Sequence, residues 1–199
     1  MPKATTCKQA IAAWKKKTGQ DPTTTKIVKI NCQIPSIDKM DSVTLGQLVE
    51  CEQLALSTNQ IDKIAPLPGC KNLKILSLSR NKIKKIEKLD DISDSLEELW
   101  LSYNLVEKLS GLENLTKLRV LYMSNNEIKS FDELERIAHI STLKDILFLG
   151  NPIVSSAPDE QSYRYEVIKR LPLLTNWKLD GRMVTKDEIT KANEQQEDE

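Results

Sequence analysis

Residues Leu96–Val106 read LEELWLSYNLV, and the same eleven-residue pattern returns at Cys51–Ile61 (CEQLALSTNQI), Leu73–Ile83 (LKILSLSRNKI), Leu118–Ile128 (LRVLYMSNNEI) and Leu143–Ile153 (LKDILFLGNPI). Each copy is apolar at its fourth, sixth and eleventh positions and carries asparagine at its ninth. These asparagines, Asn59, Asn81, Asn104, Asn126 and Asn151, are spaced by 22, 23, 22 and 25 residues. A degenerate copy precedes them at Ile27–Ile37 (IVKINCQIPSI), with Pro35 in the asparagine place and Cys32 at an inward position. In an extended segment successive side chains point to opposite faces, so the fourth and sixth positions go inward and the third, fifth and seventh outward. The ninth position falls where the chain turns away from the strand. An amide there both donates and accepts, and meets backbone groups that the bend leaves unpaired. Stacked, the five asparagines form a ladder, a structural role rather than a catalytic one.

Period, apolar positions and asparagine together resemble the leucine-rich repeat. The expected fold is an α/β leucine-rich repeat solenoid of about six right-handed coils in a single domain. Residues 1–22 form an N-terminal helical cap, 23–153 the repeats, 154–181 a C-terminal cap, and 182–199 a terminal helix and acidic tail. No coil buries its apolar face alone, so stability comes from neighbours and caps. Thr5 or Thr6 N-caps a first helix with Ala10, Ile11 and Trp14 on one face, stopped by Thr18, Gly19 and Pro22. Tyr163, Arg164, Val167, Ile168, Leu171, Pro172, Leu174, Leu179, Asp180 and Gly181 resemble the cap that follows many intracellular leucine-rich repeats, with two extra residues near Trp177. Thr185 with Glu188 makes a capping box for the last helix, and Glu194–Glu199 is expected to fray.

Composition narrows the function. The 199 residues carry 29 basic and 29 acidic side chains, a formal net charge of zero, which argues against a general nucleic-acid binder. No apolar run reaches the roughly 18 residues of a membrane span, and the start MPKATTCKQAIAAWKKK has no secretory apolar region. A soluble intracellular protein is expected, with its cysteines reduced, Cys32, Cys51 and Cys70 filling the core and Cys7 in the first helix. One histidine, His139, and no CxxC leave no zinc site. Walker, HExxH and GxSxG signatures are absent. Neither an enzyme nor a cofactor site is expected.

The outward positions are the informative ones. Along the fifth position the row runs Asn31, Ala55, Ser77, Trp100, Tyr122, Leu147, turning from small and polar to large and apolar. Ile75 and Val120 extend this surface on one side, Tyr103 and Leu149 on the other. A one-residue slip would expose every consensus leucine, so these residues lie outside the core. A contiguous apolar patch marks an interface, and Trp and Tyr are the usual hot-spot residues. The charges Lys74, Glu97, Glu98, Arg119, Lys144 and Asp145 rim the patch.

The strings LALSTNQIDKI, LEELWLSYN and RVLYMSNNEI, with the outward Trp100, Tyr103, Tyr122 and Asn125, resemble the leucine-rich light-chain family of axonemal outer-arm dynein. The resemblance covers essentially the whole chain. It implies a non-catalytic subunit of the cilium or flagellum, within the cytoskeleton of the cytoplasm. The partner it implies is a dynein heavy chain, held at the microtubule-binding stalk tip through the apolar sheet face. It also implies a tubulin or motor contact by Arg182, Met183 and Lys186, beside Ile189. Basic clusters at Lys15–Lys17 and at Lys82, Lys84, Lys85 and Lys88 equally suit the acidic microtubule surface. Other readings of the pattern are a regulatory repeat subunit of a phosphatase and, behind it, a splicing or RNA-export adaptor.

Overall fold

The computed structural model describes residues 3–194. Among them, eight short strands form one sheet in sequence order. These are β1 (Ile27–Lys29), β2 (Gln53–Ala55), β3 (Ile75–Ser77), β4 (Glu98–Trp100), β5 (Val120–Tyr122), β6 (Asp145–Leu147), β7 (Lys178–Leu179) and β8 (Arg182–Met183). Neighbours pair in parallel as far as β7, and β8 returns antiparallel to it. Parallel order follows from the repeat, since each coil must return to its starting edge before the next strand begins. The inward residues Val28, Leu54, Leu76, Leu99, Leu121 and Ile146 are 0% exposed. They lie in one row across the sheet.

Return segments supply the other wall of the core through Leu67, Cys70, Leu89, Ile92, Leu112, Leu115, Leu134 and Ile137, all buried. They run as turns and two 3-10 helices, Asp90–Ile92 and Phe131–Arg136, and the α-helices gather at the ends. Their tightness shows at Gly69, where a Cβ would stand 1.6 Å from the Gly46 carbonyl oxygen of the coil before.

The asparagine ladder is present from Asn59 to Asn151. In each case Oδ1 accepts from the backbone N–H of Ile37, Ile61, Ile83, Val106 or Ile128 in the preceding coil, at 2.9–3.1 Å. Nδ2 donates both to the sixth-position carbonyl of its own coil and to that of the coil before, as Asn104 does to Leu101 and Leu78. One residue earlier the backbone is left-handed, at Thr58, Arg80, Tyr103, Asn125 and Gly150, with φ between 54 and 79°. In the first four of these that conformation aims the amide at the next coil, as Tyr103 N–H does at Ser124 O, 2.8 Å.

The first coil corrects the expected register by two residues. Lys29, not Asn31, pairs with Ala55, and Val28 pairs with Leu54. Gln33 therefore takes the asparagine place and Pro35 lies beyond it. Cys32 is not inward: it holds the left-handed turn position, φ 54°, and is exposed. A two-residue slip keeps every side chain on its own face, so Ile30 satisfies either register and the sequence does not separate them. The extra length lies between Gln33 and Ile37, whose N–H still meets Asn59.

Both ends are closed. Helix α1 (Cys7–Thr18) begins with Thr6 in a capping box with Gln9 and ends at left-handed Gly19, burying Cys7, Ala10 and Ile11 over the first coil. A single-turn α2 (Ser42–Leu45), N-capped by Asp41, lies in the first return segment. After the last repeat come α3 (Pro152–Ser156), α4 (Glu160–Arg170) and α5 (Lys186–Glu194). Residues 182 and 183, expected in the terminal helix, form β8 instead; the helix starts after Thr185, whose box with Glu188 is made in both directions. The acidic tail at 195–199 lies outside the described residues. Trp177, despite its two inserted neighbours, is buried to 1% exposure. Asn176 takes a left-handed φ of 51° just before it.

Candidate interaction face

The face opposite the core is built from strand positions three, five and seven. Cα pairing puts Ser77, Trp100, Tyr122 and Leu147 in one row, and Ile75, Glu98, Val120 and Asp145 in the row beside it. Trp100 and Tyr122 stack with ring centroids 6.0 Å apart and planes at 27°. Tyr103 is 46% and Leu149 50% exposed. Ile75, Val120, Trp100, Tyr122 and Leu147 are half-buried by one another. The expected apolar residues therefore come together as one surface in the C-terminal half of the sheet. Asn125 stands exposed in the same turn row as Tyr103. Toward the N-terminus the rows continue with Lys29 and Ala55.

Polar groups fix the aromatic side chains. Trp100 Nε1 donates to Glu98 Oε2 at 3.1 Å, and the Tyr122 hydroxyl donates to Asp145 Oδ2 at 3.3 Å. Burial, followed by the charge of Asp145, raises the Tyr122 pKa, so its hydroxyl stays protonated at neutral pH. Arg80 lays its guanidinium over the Tyr103 ring, 4.3 Å from the centroid. Arg80 was not expected at the site; it precedes its asparagine as Tyr103 does one coil later, and equal repeat positions stand side by side. Serines at the seventh position add Ser102 and Ser124, with oxygens 2.9 Å apart.

The rim is partly engaged within the chain. Lys26 and Lys74 both reach Glu52 at 2.8 Å. Their hydrogen bonds hold that carboxyl down to about 2. Arg119 stands 4.0 Å from Glu97. Lys144 Nζ donates to the Thr175 carbonyl at 2.7 Å. An open cavity of about 530 Å³ lies along this edge between Lys117, Arg119, Thr142 and Lys144.

At the C-terminal end, Asp180 ties the cap to the sheet. Its Oδ1 accepts from the N–H groups of Phe148 and Leu149 at 2.7 and 3.0 Å, and its Oδ2 accepts from the Tyr163 hydroxyl at 2.8 Å. Arg164, 3% exposed, donates to the Leu179 carbonyl and to Glu188 Oε1. Beyond this network Arg182, Met183 and Lys186 are exposed, Arg182 paired with Glu160 at 2.5 Å. They lie on β8 and at the first turn of α5, apart from the aromatic rows. His139 is exposed on the opposite side, its Nε2 2.7 Å from the Glu113 carbonyl. Among the described residues no cluster of three metal-ligating side chains occurs, and no helix is long and apolar enough to cross a membrane.

The family model described as "Leucine Rich repeats (2 copies)" matches residues 49–91 and 94–136. Among solved structures, an internalin of Listeria monocytogenes aligns with TM-score 0.59 at 21% identity, over 77% of this chain and 39% of its own. A leucine-rich repeat protein of Leptospira interrogans aligns with TM-score 0.58 at 27% identity, over 73% of this chain and 34% of its own. Both agree with the solenoid. The sequence relatives go further. Dynein axonemal light chain 1 of Homo sapiens is 53% identical over 97% of this chain and 100% of its own length. That of Xenopus laevis is 54% identical over 98% and 100%, and that of Chlamydomonas reinhardtii 51% over 97% and 98%. At this identity over the full length, the chain belongs to the axonemal dynein light chain 1 family of leucine-rich repeat proteins.

Proposed function

We propose that this chain is a non-catalytic light chain of ciliary and flagellar outer-arm dynein. Through the C-terminal half of its sheet face it docks on the microtubule-binding stalk tip of a dynein heavy chain and tunes the grip of the motor on the microtubule. The observation that carries this reading is the continuous surface of Trp100, Tyr122, Val120, Leu147, Leu149 and Tyr103. It sits on strands whose backbone is hydrogen-bonded throughout, so little order has to be gained on association. Leucines alone would specify the solenoid; two stacked aromatics at outward positions are not needed by it. Arg182, Met183 and Lys186 are assigned the second contact, to tubulin or the motor, because they project from the cap beside the same end of the sheet.

The experiment is extraction of axonemes carrying tagged wild-type or Trp100→Ala chain. Wild type is expected to co-sediment with the outer-arm heavy chains through extraction, and the variant to remain in the cell body. Equal assembly of a folded Trp100→Ala chain into the outer arm would contradict the assigned face.

A further inference from the structure

Resting on the docking face just assigned, we propose that its aromatic pair and two flanking carboxylates form a receptor for one guanidinium group, an arginine side chain of the partner. Glu98, Val120 and Asp145 are Cα partners in consecutive strands, and Trp100 and Tyr122 stand two residues further along β4 and β5. At about 4.8 Å per strand the Cα atoms of Glu98 and Asp145 stand roughly 10 Å apart with Val120 between them, and both side chains lean toward the rings to meet Trp100 and Tyr122. A group seated over Val120 therefore has an acid on either side and the stacked rings along one edge.

The charges are in place but unanswered. Among the described residues neither Glu98 nor Asp145 has a cation within ion-pair distance, although lysines and arginines crowd the neighbouring second-position row. Each carboxylate accepts only the donor of its own aromatic neighbour. Asp145 Oδ1 is screened from solvent and has no hydrogen-bond partner. The carboxylate is thus under-solvated on a surface expected to be covered, and burying two unpaired anions under a partner would be strongly unfavourable. A cation brought by the partner removes that penalty.

Its shape follows from the site. A planar guanidinium stacks on aromatic rings and offers five donors in a fork wide enough to serve two carboxylates, whereas an ammonium is a compact, strongly hydrated point charge. The same face already holds one such pair in Arg80 over Tyr103.

The test titrates this chain with N-acetylarginine amide and with N-acetylcitrulline amide, which has nearly the same shape without the charge. The readout is the Trp100 indole N–H resonance, assigned by its loss in Trp100→Phe. The arginine compound is expected to shift that resonance saturably and the citrulline compound to leave it in place. The Glu98→Gln, Asp145→Asn double variant is expected to lose the response with an unchanged melting temperature. No response to arginine, an equal response to citrulline, or a response kept by the double variant would each overturn the receptor.

A second arm measures stalk-tip affinity, which each single variant is expected to weaken about tenfold, the scale of one charge-assisted hydrogen bond. If Trp100→Ala loses the stalk tip while the double variant binds it normally, the receptor is overturned and the docking face stands. If wild type fails to bind the stalk tip, the docking reading falls, and the arginine titration still decides the receptor.

Discussion

Asn104 shows what one side chain holds. Its amide satisfies the Ile83 N–H and the carbonyls of Leu78 and Leu101, three buried backbone groups from two coils. Leaving one buried group unpaired costs about 1–3 kcal/mol, so Asn104→Ala is expected to lose more than about 3 kcal/mol in urea unfolding. A loss below about 1 kcal/mol would mean that water replaces the amide. The cysteines divide by environment in the same way. Burial pushes the Cys51 thiol up to about 11 and Cys70 to about 12, while Cys32 is exposed. Cys7, also buried, is shifted upward too. A thiol reagent at pH 8 is expected to modify Cys32 rapidly and the other three only on unfolding. Protection of Cys32 in the folded protein would contradict the first-coil register, and fast labelling of a second thiol would contradict the burial of the other three. That register was not legible in the sequence, because Ile30 fits both alignments and the left-handed turn carries Thr, Arg, Tyr or Asn in four of the five later coils, with glycine at Gly150 alone among them.

The last helix packs through Ala192 and is tied to α4 by the part-buried ion pair of Glu188 with Arg164. Burial alone would raise the Glu188 pKa, but hydrogen bonds from Arg164 and Thr185 and the Arg164 charge outweigh it, so the carboxyl sits below its ordinary 4.5. A depressed folded pKa means that the ionised form favours the folded state. The stabilisation is complete above about pH 4.5 and is lost as pH falls through the folded value. Protection of the amides of residues 186–194, their exchange taken relative to the intrinsic rate at each pH, is therefore expected to fall below pH 4.5 before that of the repeat strands. In Glu188→Gln that protection should already be low at neutral pH and vary little with acid. Identical pH profiles for the two proteins would remove Glu188 from the docking of α5. The capping box of this helix was readable from Thr185 and Glu188; for α1 the sequence offered Thr5 or Thr6 as N-cap, and Thr6 takes the place with Gln9 completing the box. The pairing of Glu188 with Arg164 was not, since it joins residues 24 apart whose meeting depends on the path through Trp177 and β8. Arg182 and Met183 were misplaced onto the helix for the same reason.

Across the whole molecule the two ends of the sheet face differ in kind. Lys29, Ala55 and Ser77 give way to Trp100, Tyr122 and Leu147 over a row of buried Val, Leu and Ile side chains. The solenoid was legible because one period fixes core, strand and turn together, five times over. The aromatic half of the face was legible because register alone decides what points outward. Which charges stay unpaired on that face was not, because ion pairs such as Lys74 with Glu52 depend on side-chain conformation rather than on repeat position. Docking of this half of the face on a heavy-chain stalk tip is put to the test by titrating the purified chain against the recombinant stalk tip of each outer-arm heavy chain, with Trp100→Ala and Tyr122→Ala alongside. Saturable binding to one stalk tip is expected, weakened by about 2 kcal/mol or more in each variant, with melting temperatures close to wild type. Binding to none, or undiminished binding by folded variants, would contradict it.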